Sequence, residues 1–528
     1  MQSTDYHGPW IMSAIIEDRA ERLGDRAAIH TLSGSITYAE LRDRAQRVAA
    51  QLIALGVQPG DRVATMIDAT PDYVSAWLGC AWAGAIEVPI NTEYKGTFLE
   101  HVLRESGAVV LLAQAAYVDR VAPLVAPDLR HVIVVGGEDR GLLSGKNIAT
   151  HTLSDAISFD PAPMSPRTEQ DLLYVLYTSG TTGMSKGVVH CNRSALWTAR
   201  VWKELGDLGP DDVGYSYLPL YHVTARSALV KACVLAGGAC VLRPHFSASE
   251  FWPDVRRYGA TFTMYMGAVI LFLTKQAEIA GELDNTLRIA GGAACPPAVA
   301  ADFERRFGCK LLEVYGMTEI GTATGPRGGR IAPGTMGRAF DHLEIAIHDP
   351  DDERLPAGEL GEIVVRPNEP FAMMQGYWNQ PQATVESWKN LWFHTGDIGR
   401  MTPDGDVIYV DRLKDSLRRR GENISSFEIE RAVQDHPAIQ ECAAFAVASE
   451  ATEDDVMIAV LLRPDHGLAA DDLFDFCEGA MPRFAVPRYL RFVSELPKTP
   501  TNRVQKHVLR AAGVTPDTFE RQTRRKHA

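Results

Sequence analysis

Apolar and polar positions follow a helical period and a strand period that alternate along most of the chain. Thr37-Tyr38-Ala39-Glu40 carries a hydroxyl and a carboxylate three residues apart, the signature of a capping box. Leu41, Ala45, Val48, Ala49, Leu52 and Leu55 then fall on one helical face until Gly56 stops it. Residues 62–67 read as a strand, and Thr70-Pro71 as a helix start with proline at the first helical position. That helix runs to about Trp82 and is followed by strands at 86–90, 109–112 and 131–135. Further on, strands are expected at 214–218, 239–242, 261–264, 287–290 and 310–314, and helices at 246–258, 268–276 and 297–307. Such alternation implies parallel sheet with helices on both faces. Several strands end in glycine-rich or polar turns, and open α/β sheets bind ligands beyond the carboxyl ends of their strands.

After about residue 335 the pattern changes. Strands at 343–348, 361–365 and 406–410 follow with little helix between them, and Asp404-Gly405 makes one of the turns, so this stretch predicts a small β-rich subdomain. Near 411–415 the chain becomes charged. A helix from about Phe427, strands at 443–447, 456–462 and 489–493, and a helix at 473–481 then predict a compact α+β unit of about a hundred residues. The fold class is α/β. A large N-terminal domain, 1–411, holds parallel sheets flanked by helices plus the β-rich subdomain, and a small α+β domain, 412–528, follows. The basic end at 521–527 reads as a solvated tail. No internal repeat or low-complexity tract is present.

Composition narrows the class. With 528 residues, 46% hydrophobic and 23% charged, the chain can bury more than one core. A net charge of −14 argues against a nucleic-acid partner, whose footprint would be basic. Anionic ligands must therefore be held by local positive sites. No apolar run is long enough to span a bilayer, and MQSTDYHGPW lacks the basic and apolar regions of a secretory signal. The eight cysteines show no C-x-x-C pair and no zinc spacing, which fits reduced, mostly buried thiols in a cytoplasmic protein.

The chemistry concentrates in residues 173–187, LYVLYTSGTTGMSKG. A strand-like run ends in Thr178, Ser179, Gly180, Thr181, Thr182 and Gly183, followed by Lys186. Glycines let successive backbone N–H groups share one concavity, a nest for phosphate oxygens, to which hydroxyls and one ammonium add donors and charge. The spacing is not that of a Walker A loop. Tyr315-Gly316-Met317-Thr318-Glu319 places an aromatic face, a hydroxyl and a carboxylate at a strand end. Gly291-Gly292-Ala293-Ala294 follows another strand and permits close backbone approach. His394-Thr395-Gly396-Asp397 supplies a carboxylate able to accept two hydroxyls.

Taken in order, these motifs resemble those of the adenylate-forming superfamily, the AMP-dependent acyl-CoA synthetases, adenylation domains and luciferases, from about Tyr38 to Arg510. Softer matches, such as residues 246–263, place the chain nearest the carnitine/crotonobetaine-type CoA ligases. The resemblance implies that the C-terminal domain is mobile about a hinge at Lys414. It implies that Thr178–Gly183 and Lys186 hold ATP phosphates, and that Tyr315 packs on adenine beside Gly291, Gly292, Ala293, Glu313, Val314, Gly316 and Met317. Thr318 then meets the α-phosphate, Glu319 takes Mg²⁺, and Asp397 and Arg412 hold the ribose. His222, Val223, Arg226, Met264, Gly267, Gly291 and Ala293 wall the acyl pocket, with Arg226 a candidate partner for a polar acyl group or a solvent-facing residue. Arg420, Gly421 and Glu422 border the CoA channel, and Arg418–Arg420 are either a CoA-phosphate site or a solvated face. One motif departs from the pattern. In Pro497-Lys498-Thr499-Pro500-Thr501-Asn502-Arg503-Val504-Gln505-Lys506, Asn502 replaces the family glycine and Arg503 the lysine that bridges substrate carboxylate and α-phosphate. Arg503 serves, or Lys506 or another cation serves, or adenylation is slow.

The implied reaction joins a carboxylic acid to ATP as acyl-AMP with release of pyrophosphate, after which the coenzyme A thiol displaces AMP. Lys186, Thr318, Glu319, Arg503 and His222 are its expected catalytic residues, with ATP, Mg²⁺ and coenzyme A as its small-molecule requirements and a homodimer as the family-level expectation. Two other readings stay open: a stand-alone adenylation enzyme that loads a carrier-protein thiol, and a nucleotide- or acyl-binding homologue impaired by Arg503.

Overall fold

In a computed structural model the described residues are 6–124, 126–138, 141–144, 147–178, 184–293, 295, 297–326, 334–412, 417–419, 422–424, 426–449, 454–464, 466–497, 504 and 506–521. The chain packs as two units. The first comprises Met1–Thr92, Leu103–Tyr177 and Gly187–Asp411; the second comprises Glu93–Val102, Thr178–Lys186 and Arg412–Ala528.

The first unit holds two mainly parallel sheets. One has eight strands in the order Gly376–Tyr377, Lys186–Cys191, Leu172–Thr178, Ile86–Pro89, Arg62–Met66, Val110–Gln114, His131–Val135, Ala149–Thr152. The other has seven, in the order Lys310–Glu313, Ile289–Ala293, Phe262–Met266, Val213–Ser216, Ala239–Leu242, Ala27–Thr31, Gly34–Thr37, parallel except for the terminal hairpin. Val63, Val110, Leu112 and Ile133 from the first sheet and Tyr215, Val241, Phe262 and Ala290 from the second enter one continuous apolar core. The capping box forms as the sequence predicts: Glu40 N–H donates to Thr37 Oγ1 at 3.2 Å, and Thr37 N–H to Glu40 Oε2 at 2.8 Å. It opens the helix Tyr38–Ala54, whose Leu41, Ala45, Val48, Ala49 and Leu52 are buried. Pro71 opens the helix Pro71–Ala83, but Thr70 makes no side-chain cap bond; this helix is buried from Tyr73 to Ala83, so packing on all sides holds it.

The β-rich part is antiparallel, with Leu343–His348, Gly361–Pro367, Trp392–Met401 and Trp388–Lys389 in order and Val407–Arg412 beside Trp392–Met401. Its core gathers Ile345, Ile363, Val365, Phe393 and Val407 with Tyr315 and Ile320. Two elements add to the sequence expectation. The N-terminal helix Met12–Leu23 buries Met12, Ile15, Ile16 and Ala20 at helical spacing ahead of the first predicted helix, and Thr224–Lys231 is a π-helix, whose wider turn breaks the 3.6-residue rhythm.

The second unit carries the sheet Ile439–Ala448, Asp454–Leu462, Tyr489–Phe492, Phe519–Glu520, with the helices Ser426–Gln434 and Ala470–Ala480. Cys80, Cys191, Cys233, Cys240, Cys309, Cys442 and Cys477 are buried thiols. Among the described residues no helix is long and apolar enough to cross a membrane.

Candidate active site

Two motifs far apart in sequence meet in the first unit. Tyr315 and Asp397 lie 82 positions apart, and the Tyr315 hydroxyl donates to Asp397 Oδ2 at 2.8 Å. The aromatic ring and the carboxylate assigned by resemblance to adenine and ribose therefore share one locus, and both residues are buried. Glu319 is 5% exposed, and the Tyr377 hydroxyl donates to its Oε1 at 3.0 Å. Tyr377 lies on the short strand that pairs with Val188 and Val189 on the strand opened by Lys186. His190, on that same strand, donates through Nε2 to the Thr318 carbonyl at 2.8 Å; a carbonyl only accepts, which fixes the proton on Nε2. Burial pushes His190 down to about 4, against the opposing pull of the Thr318 carbonyl, so the ring is a neutral brace at neutral pH.

The glycine pair Gly291-Gly292 lies on the strand Ile289–Ala293 between Phe262–Met266 and Lys310–Glu313. A Cβ on Gly291 would stand 2.1 Å from the Trp202 ring, and one on Gly292 would stand 2.2 Å from the Tyr265 carbonyl oxygen, so neither position admits a side chain. Glu313 closes this side by accepting the Cys295 N–H at 2.8 Å, and Val314 N–H donates to Gly292 O at 3.0 Å. Met317 continues the short strand Tyr315–Met317 through Gly316.

Of the residues expected to wall an acyl pocket, Met264 is buried within the strand Phe262–Met266 and Gly267 is buried at the start of the next helix. Val223 is partly buried against the core, and His222 lies with its ring centroid 4.7 Å from that of Tyr221. Arg226 takes neither of the orientations expected for it. It is 1% exposed and forks onto Glu87, donating from Nη2 to Oε1 at 2.8 Å and from Nη1 to Oε2, with a further bond from Nη2 to Tyr73 Oη at 3.1 Å. Burial alone would lower the Arg226 pKa, and the Glu87 carboxylate outweighs it. Its guanidinium is thus satisfied inside the core.

In the second unit, Ser185 is buried just before the strand Lys186–Cys191. Its N–H donates to Glu428 Oε1 at 2.7 Å and its carbonyl meets His101 Nε2 at 2.8 Å. Glu428 is 3% exposed, and burial pushes its carboxyl up to about 7, opposed by the hydrogen bonds from Ser185. Lys186 is half-buried at the start of its strand. Lys506 Nζ donates to Ser426 Oγ at 2.6 Å and pairs with Glu430 Oε1 at 2.6 Å. Arg419 is buried, with Nε 3.2 Å from Asp455 Oδ1 and Nη1 donating to Val486 O at 2.7 Å, so this member of the Arg418–Arg420 run is neither a solvated face nor open to a phosphate. Ser179, Gly180, Thr181, Thr182, Gly183, Ala294, Lys414, Arg420, Gly421, Asn502 and Arg503 lie outside the described residues, as do the side chains of Arg412 and Glu422.

The motif residues stand out in the sequence, whereas the residues that bond to them, Tyr377, His190 and Glu428, do not. Each touches a motif from a distant stretch, so no local spacing marks it. The only signal for Glu428 was its place beside Phe427 at the start of the C-terminal helix.

Two families of known proteins match the chain: AMP-binding enzyme over residues 16–378 and the AMP-binding enzyme C-terminal domain over residues 428–503. The crotonobetaine/carnitine–CoA ligase of Salmonella paratyphi A is 31% identical over 520 residues, covering 94% of this chain and 98% of that protein. Among solved structures, an anthranilate CoA ligase in complex with anthranoyl-AMP aligns at 25% identity with a TM-score of 0.71, covering 95% of this chain and 96% of that one. ATP-bound MatB from Rhodopseudomonas palustris aligns at 26% identity with a TM-score of 0.67, covering 95% and 98%. The o-succinylbenzoate CoA synthetase of Bacillus subtilis, at 23% identity and a TM-score of 0.82, shares the fold. The motif order, the joined Tyr315 and Asp397, and these matches agree: the chain belongs to the AMP-binding enzymes, the adenylate-forming ligases.

Proposed function

We propose that the protein is an ATP-dependent acyl-CoA ligase. A carboxylate oxygen of the acid attacks the α-phosphorus of ATP, the bond to the β-phosphate oxygen breaks, and acyl-AMP and pyrophosphate result. The CoA thiol then attacks the acyl carbonyl, loses its proton, and AMP leaves. The observation that carries this reading is the bond between Tyr315 and Asp397, which joins the adenine and ribose motifs in one place. The work of the chain is positioning and charge neutralisation. Tyr315 and the Gly291–Gly292 backbone wall the base, and Asp397 and Arg412 hold the ribose. Thr178, the loop hydroxyls and Lys186 take charge growing on pyrophosphate, and the Thr318 hydroxyl steadies the α-phosphate. Residues His222, Val223, Met264 and Gly267 border the acid.

Glu319 fits a Mg²⁺ ion, since one carboxylate with phosphate oxygens is the donor set this ion favours, and Tyr377 fixes its orientation. Mg²⁺ bound there would supply neutralisation of phosphate charge.

The bridging cation is Arg503. The engagement of Lys506 by Ser426 and Glu430 supports this assignment, because its ammonium is already committed within the second unit. Arginine keeps the charge of the family lysine and can fork onto two oxygens. Carboxylate-dependent ATP–pyrophosphate exchange tests it. Arg503→Ala is expected to lose at least about a hundredfold in exchange rate, on the order of one lost transition-state contact to charge. Lys506→Ala is expected to keep exchange per folded molecule and to lower the melting temperature. The reverse pattern would assign the bridge to Lys506. Following CoA consumption in the same reaction separates free CoA from a carrier-protein acceptor.

A further inference from the structure

Asp397 stands on a distortion of the sheet, and the residue that holds that distortion is Glu362. In the antiparallel pair of Gly361–Pro367 with Trp392–Met401, Glu362 faces Ile398 and Val364 faces His394. Ile363 alone therefore spans Thr395, Gly396 and Asp397, so three residues bulge out of the ladder against one. A bulge strips backbone N–H groups of their ladder acceptors, and buried N–H groups need replacements. Side chains supply them. The Thr395 hydroxyl donates to Ile363 O at 2.6 Å and accepts the Asp397 N–H at 3.1 Å. Glu362 Oε1 accepts the Gly396 N–H at 2.9 Å, where Gly396 has φ +72°.

The other oxygen of Glu362 is held in turn. His394 Nδ1 donates to Glu362 Oε2 at 2.8 Å, and His394 Nε2 lies 3.4 Å from Asp352 Oδ1. Asp352 also accepts His348 Nδ1 at 2.7 Å and a bond from Asn390. Asp352, Asn390 and Leu391 all have positive φ, between +47° and +68°, a conformation that non-glycine residues keep only where their surroundings impose it. Glu362 thus clamps the residue just before the bulge and the middle of the bulge together, with a polar cluster behind it.

We propose that Glu362 is a positioning residue for ribose recognition: by fixing Gly396 and His394 it aims the Asp397 carboxylate at the two ribose hydroxyls. This rests on the reading of Asp397 as the ribose ligand, and the test separates the two. Calorimetry on the full chain would give dissociation constants for ATP and 2′-deoxy-ATP, with melting temperatures measured without nucleotide. Glu362→Ala is expected to weaken ATP binding about tenfold or more and to shrink the preference for ATP over 2′-deoxy-ATP by a similar factor. Glu362→Gln keeps an oxygen for Gly396 but offers His394 no second acceptor, and its effect should be intermediate. Added to Asp397→Ala, either change should cost no further discrimination. A variant that melts lower yet keeps the wild-type ATP preference overturns the proposal, since a purely structural residue would behave so. If Glu362→Ala does not fold, an unchanged preference in Glu362→Gln overturns it equally. If Asp397→Ala itself leaves the preference intact, the ribose reading fails and the positioning role falls with it.

Discussion

Glu428 shows how one buried carboxyl can make stability depend on pH. Its carboxyl is buried where it accepts the Ser185 N–H, and burial raises it from 4.5 to about 7. Between those values the unfolded chain releases its proton while the folded chain keeps it. The folded state therefore loses stability as pH rises through that window, with the full contribution present below 4.5 and gone above about 7. The size is ~3 kcal/mol for a shift of this kind. Glu428→Gln retains an oxygen for Ser185 and has no proton to lose. Urea titrations from pH 4 to pH 8 should show this share of the slope vanish in the variant, and the variant should be the more stable protein at pH 8. Equal slopes in both proteins would mean that the carboxyl ionises in the fold as it does in the unfolded chain.

At the scale of elements, the π-helix Thr224–Lys231 is tied to the strand Ile86–Pro89 by Arg226 and Glu87. The pair is almost wholly buried, so removing one partner strands a charge in the core. Arg226→Met should cost about 3–5 kcal/mol. Adding Glu87→Leu should restore most of it, because two apolar side chains leave no charge to satisfy. Were Arg226 instead a reader of the acyl group, Arg226→Met would change acid preference and leave the unfolding midpoint alone. This contact also marks where sequence reasoning stops. Regular helices and strands were legible because burial imposes a period, as at Tyr38–Ala54 and Val110–Gln114. The π-helix has a different period, and the partner of a buried arginine 139 positions away leaves no local trace. The same holds for Tyr377 beside Glu319 and Glu362 beside Gly396, whereas Tyr315, Glu319 and Asp397 were readable because each stands inside a short motif of the family pattern.

At the scale of the molecule, motifs 82 positions apart in the first unit come to one place, while Ser185 and Lys186 pack with the second unit. That division was not legible in the sequence, where residues 173–187 read as one strand and loop. Contacts such as Ser185 with Glu428 and Lys95 with the Glu478 carbonyl tie Ser185 and the 93–102 segment to the second unit. The account as a whole rests on adenylation of an acid by ATP. The direct test is exchange of radiolabelled pyrophosphate into ATP, without CoA, across a panel of carboxylic acids. At least one acid should drive exchange that depends on Lys186 and Glu319, with AMP as the nucleotide product once CoA is added. Exchange with no acid in a broad panel, or release of ADP and phosphate in place of AMP, would contradict it.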